Sequence, residues 1–403
     1  MSYLRYINKL WHSASASSGP VEYPTPVPYD AKAVNPYRGL PKHNFWSRSH
    51  RNKQRAEIDP VISGGFKLKR GDKIATAGSC FAQHIARYLQ DRGYNYLVTE
   101  KVHPIISEAV ARDFGYGVFT ARYGNIYTAR QLLQLTQRAY GDFLPQEDMW
   151  EVPGGYIDPF RPNILPAPFA SLDEFYRQRD IHFAAVRTML ETADVFVFTF
   201  GLTEAWLHKG DGAVFPLAPG VAGGGFDPER HVFHNFSVGE VVADFEHFVA
   251  RMRAVNPQVK ILMTVSPVPL AATARQDQSV ITATSYSKAV LRVAVEELSS
   301  KIRDCFYFPS YEVITGNHAG GSYFGADLRE VRREGVDHVM GLFMRHYTTH
   351  GADMSAEGGE TLSCATETDA VEAALEVICE EALIEQNLEP SDHHQTPLSK
   401  VAL

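Results

Sequence analysis

The amino-acid sequence predicts a doubly wound α/β protein, a three-layer α/β/α sandwich around a parallel sheet. Three observations carry this. The runs "DVFVFTFG" (194–201) and "VKILMTVSP" (259–267) have strand length and are apolar along both faces, as strands buried in a parallel sheet are. Amphipathic stretches of helix length separate the strand-like runs. That alternation implies βαβ units.

The elements follow in order. Residues 1–70 read as an irregular arm, because "SASASSGPVEYPTPVPYD" (13–30) is rich in Ser and Pro. The aromatics of "NPYRGLPKHNFWSR" (35–48) predict that part of the arm packs on the body. The body spans 71–347. "KIATAG" (73–78) reads as a strand and 80–92 as a helix burying Phe81, Ile85 and Leu89 at i, i+4 and i+8. "NYLVTE" (95–100) reads as a further strand. Helices are predicted over 128–140, 179–193, 238–257, 285–302 and 333–347, and a third buried strand over "CFYFPSYE" (305–312). Residues 348–403 read as a C-terminal helix (369–386) and a polar tail.

Composition excludes several function classes. A net charge of −8 over 403 residues argues against a nucleic-acid partner, and the basic run "KHNFWSRSHRNKQR" (42–55) reads as a solvated arm. No segment has the apolar length of a membrane span, and the N-terminus lacks the apolar core of a signal peptide. A cytoplasmic location is expected. Four cysteines (Cys80, Cys305, Cys364, Cys379) at irregular spacings read as reduced thiols, and no CxxC is present.

In doubly wound sheets the crevice lies outside the carboxyl ends of the strands. That selects the loops 78–81, 200–206, 266–273 and 309–330. The first holds Cys80 where a strand turns into a helix. Helix N-terminal N–H groups lack partners in their own helix, so a nucleophile there has an anion acceptor beside it, and the helix dipole favours a thiolate. A small buried cysteine is the plainer alternative. His231 and His234, with Asp227 nearby, form a sparse set of metal ligands in an apparent loop, so no metal is expected. "GVAGGGF" (220–226) reads as a flap rather than a phosphate cradle.

The segments "GSCFA" (78–82), "ARYGNIYTARQLLQL" (121–135), "FTFGLTEAW" (198–206), "ILMTVSPVPL" (261–270), "SYSKAVLR" (285–292) and "YFPSYE" (307–312) resemble, in this order, the GSCFA family. That family is similar to SGNH/GDSL-type hydrolases and O-acyltransferases with a flavodoxin-like sheet. The resemblance spans about 70–345. It implies that Cys80 stands at the serine nucleophile's position, with Ser79 as helix N-cap. It also implies oxyanion and substrate contacts from Gly124, Asn125, Gly201, Thr203 and Glu204, where Thr203 replaces an asparagine. Ser266 would line the crevice floor. The family's Asp-x-x-His is represented by Asp327 followed by Glu330, so the base is open among His338, His84 and Glu330. Lys288 reads either as a contact for an anionic substrate group or as a solvated lysine.

Three functions follow as expectations. The first is a cysteine-based ester hydrolase or O-acyltransferase passing through a thioester, on a small-molecule or glycan acyl substrate and without a cofactor. The second is a degenerate binding module for a glycan or acyl ligand. The third is a thiol-transfer role that brings Cys305 or another thiol to Cys80.

Overall fold

The computed structural model describes residues 35–349, together with Glu381, Leu383 and Ile384. On the arm lies the short helix α1 (Trp46–His50). The body opens with β1 (Ile74–Gly78), α2 (Phe81–Asp91), α3 (Glu108–Asp113) and α4 (Ala129–Ala139). Next come the hairpin β2 (Trp150–Val152) and β3 (Gly155–Ile157), α5 (Leu172–Thr192) and β4 (Val195–Phe200). β5 (Glu204–His208), β6 (Val214–Phe215) and β7 (His231–Asn235) follow. The chain closes through α6 (Val238–Val255), β8 (Lys260–Val265), α7 (Val280–Lys301), β9 (Cys305–Tyr307), α8 (Ser310–Thr315) and α9 (Arg333–Tyr347).

The central sheet is parallel, in the order β1-β4-β8-β9. Its alternating side chains feed two cores. Phe196, Phe198 and Phe200 of β4 point to one face, with Ile261 and Met263 of β8, and pack under α4, α5, α6 and α7. Val195 and Val197 point to the other, where Phe81, Ile85 and Leu89 of α2 meet α8 and α9. The result is the expected three-layer α/β/α sandwich. Helix starts are fixed by local chemistry: Thr128 and Ser237 close capping boxes with Gln131 and Glu240 at the heads of α4 and α6.

Several expectations need correction. The predicted strand at 95–100 is reduced to one bridge, Ile74 with Tyr96. Thr99 N–H instead bonds Thr120 O, which turns the chain away from the sheet edge. The position of that bridge beyond β1 still completes a flavodoxin-type strand order. "CFYFPSYE" splits into β9 and α8, because Pro309 cannot donate to a ladder and sits at the N-cap of α8. The stretch around His231 and His234 is not a loop but β7, antiparallel to β5. In the arm, Ile58, Val61 and Leu68 are buried, whereas Tyr37 and Trp46 are exposed. The predicted helix at 369–386 lies outside the described residues apart from Glu381, Leu383 and Ile384.

Candidate active site

The elbow between β1 and α2 is set by Gly78. Its φ is +132°, and a Cβ there would lie 2.3 Å from Thr199 O and 2.6 Å from Thr199 N. Only glycine lets β1 lie this close to β4 while turning. Ser79 N–H then bonds Thr199 O at 3.1 Å, and Cys80 enters helical geometry as the N-cap of α2. Ser79 is therefore not the cap. Its Oγ is buried and has no hydrogen-bond partner among the described residues.

Two further loops close on this elbow. Ile126 N–H bonds Gly78 O at 2.8 Å, and Gln83 Nε2, one turn after Cys80, bonds Asn125 Oδ1 at 3.2 Å. These bonds carry Gly124 and Asn125 to the head of α2. Gly201 N–H bonds Tyr127 O at 3.0 Å, and a Cβ on Gly201 would meet Ser79 Cβ at 3.0 Å. The structure thus brings Cys80, Ser79, Gly124, Asn125 and Gly201 together at the carboxyl ends of β1 and β4. Ser266 N–H bonds Phe200 O at 2.8 Å, which puts the loop after β8 alongside.

Thr203 has a different task from the one the sequence implies. Its Oγ1 donates to Asn235 Oδ1 at 2.6 Å, and its N–H bonds Ser287 Oγ at 3.0 Å. The hydroxyl's one proton is committed, so Thr203 orients the Asn235 amide rather than donating to an oxyanion. Glu204 accepts from Thr273 Oγ1 at 2.8 Å, and burial pushes its carboxyl above the usual range. It ties the loop after β4 to the loop after β8.

The expected bases are placed elsewhere or poorly matched. His338 Nδ1 pairs with Tyr323 Oη at 2.8 Å and Nε2 with Ile58 O at 2.9 Å, so one ring nitrogen holds α9 to the loop before it and the other fastens the arm to α9. Asp327 is exposed, and its carboxylate accepts from the N–H groups of Arg329 and Glu330. Asp327 and Glu330 form a surface turn, and Glu330 O accepts from Gly325 N–H at 2.8 Å. His84 is buried at 8% exposure, stacks edge-on to Phe81, and is held down to about 4 by burial and then by the Arg87 cation. An imidazolium that acidic returns a thiol's proton too readily to serve as its base.

The pH dependence of stability follows from the same shift. The unfolded chain binds a proton at His84 between about pH 6.5 and 4 that the folded chain refuses. Stability therefore falls as pH drops through that window, by about 3 kcal/mol at this one site. Urea unfolding of His84→Leu is expected to show that much less loss between neutral pH and the bottom of the window. An unchanged pH profile would contradict this assignment.

The group that sequence reasoning set aside is Lys288, on α7. It is 3% exposed, and its Nζ donates to Gly201 O at 2.6 Å. Burial holds its ammonium down to about 8, while Glu381 and then Cys80 favour the charged form. The lysine is thus within electrostatic reach of the Cys80 sulfur. The segment "SYSK" also supplies Ser287 to Thr203, so the motif gave a signal that helix position alone did not. Glu381 closes the crevice. Its Oε2 accepts from Arg329 Nη2 at 2.9 Å and its Oε1 from Ala271 N–H at 3.4 Å.

Behind the Gly124 loop lies a buried ionic brace. Glu100 accepts from Arg122 N–H at 2.8 Å and pairs with His182 Nδ1 at 2.8 Å. Arg161 Nη1 donates to Arg122 O at 3.1 Å and its Nε to Asp158 at 3.0 Å. These charges are scattered from 100 to 182, and nothing in their spacing announces the cluster.

Cys305 stands at the amino end of β9, paired with Ile261 at the start of β8. Cys80 follows Gly78, which aligns through Thr199 with Thr264 near the other end of β8. Three strand spacings and three residues of rise separate the two cysteines by roughly 17 Å. A disulfide needs its Cα atoms within about 7 Å, so the pairing of Cys305 with Cys80 is ruled out. Cys364 and Cys379 lie outside the described residues.

Fold and crevice together define a doubly wound α/β protein whose strand–helix elbow presents a buried cysteine to converging loops. The chain belongs to the GSCFA family, whose profile matches residues 73–343. No curated protein matches the chain. Among the described residues no helix is long and apolar enough to cross a membrane, and no cluster of three or more metal-ligating side chains occurs.

Proposed function

We propose that the protein is an acyl-transfer enzyme, an ester hydrolase or O-acyltransferase, that uses Cys80 as nucleophile and Lys288 as its proton partner. The observation that carries this reading is the buried Lys288, bonded to Gly201 O at the same strand ends as Cys80, whose thiol favours the lysine's charged form. A lysine held near neutrality can take a proton that an unperturbed one cannot.

The chemistry runs in two halves. The Cys80 sulfur attacks the acyl carbonyl, and the thiol proton passes to Lys288 Nζ. The carbonyl oxygen becomes an oxyanion, received by N–H groups at the head of α2 and the Gly124 loop. The C–O bond then breaks, and the leaving alkoxide takes the proton back from Lys288. Water or a sugar hydroxyl then attacks the thioester carbonyl and gives its proton to Lys288; the C–S bond breaks, the free acid or the new ester leaves, and the thiolate takes the proton back from Lys288. Ser79 Oγ, buried and without a hydrogen-bond partner among the described residues, supports a polar contact to the substrate beside the thiol.

Intact mass after incubation with an activated acyl ester tests the reading. One acyl group is expected on the wild-type chain and none on Cys80→Ala. An adduct that survives Cys80→Ala would sink the nucleophile assignment. The second reading, a binding module without turnover, is favoured by His338, whose ring nitrogens are both engaged away from the crevice. Binding of acylated sugars with no adduct and no turnover would decide for it.

A further inference from the structure

We infer that the crevice contains a carboxylate-binding subsite, formed by Arg329, the Ala271 N–H and Lys288, which Glu381 of the same chain occupies in place of a substrate carboxylate. The inference deepens the proposed function by naming the substrate class: an acyl donor or acceptor that carries a carboxylate near its reacting ester.

The donors and the acceptor have different origins. Arg329, Ala271 and Lys288 all lie within the stretch 73–343 that the family profile covers, whereas Glu381 lies beyond it. The donors are also fixed by the body. Arg329 Nε is held by Pro269 O at 3.3 Å, and Lys288 Nζ by Gly201 O at 2.6 Å. The Ala271 N–H lies in the loop that leaves β8, one of the crevice loops.

Geometry and charge fit a carboxylate. Guanidinium and backbone N–H each take one oxygen of Glu381, at 2.9 Å and 3.4 Å, and the Glu381 side chain is itself buried at 7% exposure. Lys288 feels the Glu381 carboxylate, the Cys80 thiol and the Arg329 guanidinium, and Arg329 is bonded to Glu381, so two cations share one carboxylate at this end of the crevice. A substrate carboxylate taking the place of Glu381 leaves that charge count unchanged. A neutral substrate displacing Glu381 would strip the buried Lys288 and the partly buried Arg329 of their anion, which costs far more than the exchange. Lys288 feels both the Glu381 carboxylate and the Cys80 thiol, so a carboxylate bound in place of Glu381 shares that lysine with the thiol. Buried ligands held by a few convergent polar groups are the usual form of such sites.

Binding in a Cys80→Ala background tests this without requiring turnover. The probes are monomethyl glutarate, with one carboxylate, and dimethyl glutarate, with none. Calorimetry is expected to show monomethyl glutarate binding about tenfold tighter after Glu381→Gln, because the internal competitor is weakened. Arg329→Gln is expected to weaken it by about tenfold or more. Dimethyl glutarate should respond to neither change. Glu381→Ala repeats the first arm without an amide that could still hydrogen-bond Arg329, and circular dichroism confirms that each variant is folded. The inference is overturned if Glu381→Gln and Glu381→Ala leave monomethyl glutarate unchanged or weaker, if both probes shift alike, or if neither probe binds. Failure of acylation at Cys80 would remove the catalytic reading while leaving this result standing, and the reverse also holds.

Discussion

Lys288→Met is expected to slow acylation of Cys80 by about a thousandfold, the middle of the range for removing a positioned general base. Methionine fills similar volume and keeps the buried stem of α7 packed. What it removes is the one group near the thiol whose proton affinity is held down to about 8. The sign of the pH dependence follows. Below about pH 8 Lys288 keeps its own proton and cannot take the thiol's, so the acylation rate of the wild-type chain is expected to rise as pH increases through that value. In Lys288→Met the rise near pH 8 is expected to disappear. Lys288→Arg separates two roles, because arginine keeps a cation and a donor for Gly201 O but cannot give up its proton. Stopped-flow release of the leaving group reads all three. Full activity in Lys288→Arg would reduce Lys288 to an electrostatic prop.

Gly78→Ala is expected to destabilise the protein by about 4 kcal/mol or more, enough to prevent accumulation of folded chain. Two costs add. A φ of +132° is hostile to any residue with a Cβ, and that Cβ would stand 2.3–2.9 Å from the backbone O, N and C of Thr199. Neither neighbour can move, because β1 and β4 are paired in register from Ile74↔Val195 to Gly78↔Thr199. The control is Gly239→Ala on α6, where a Cβ meets nothing within 4 Å. Urea unfolding of the two variants makes the comparison, and a Gly78→Ala chain as stable as Gly239→Ala would contradict the close approach.

The sandwich was legible because its sheet is buried on both faces. A strand covered by helices on each side must be apolar throughout, so "DVFVFTFG" and "VKILMTVSP" stood out at nearly their true bounds. The short strands were not. β7 reads His-Val-Phe-His-Asn, five residues with two apolar neighbours and no strict alternation, so it lacks the period that marks a strand. The edge at Tyr96 failed for a tertiary reason, since Thr99 finds its partner in Thr120 and leaves the sheet. At the site, the elbow and the neighbouring glycine loops could be read from motifs, because backbone geometry there demands particular residues. The proton partner could not. Lys288 differs from a solvated lysine only in being covered, and coverage is decided by Gly201, Glu381 and Arg329, which are far away in sequence. His338 and Glu330 were drawn in by spacing, but the first fastens the arm and the second ends a surface turn.

The entry to and exit from the body lie side by side. Leu68 N–H bonds Tyr347 O, and Thr349 N–H bonds Leu68 O at 3.1 Å, so the two segments form a parallel bridge. The chain therefore enters and leaves the sandwich at one corner. Tension applied through both flanking segments would load this bridge before it reached the central sheet. The same adjacency makes the body a natural candidate for circular permutation: a short linker from Thr349 to Leu68 spans almost no distance, and new ends could open in an exposed loop remote from the Cys80 crevice.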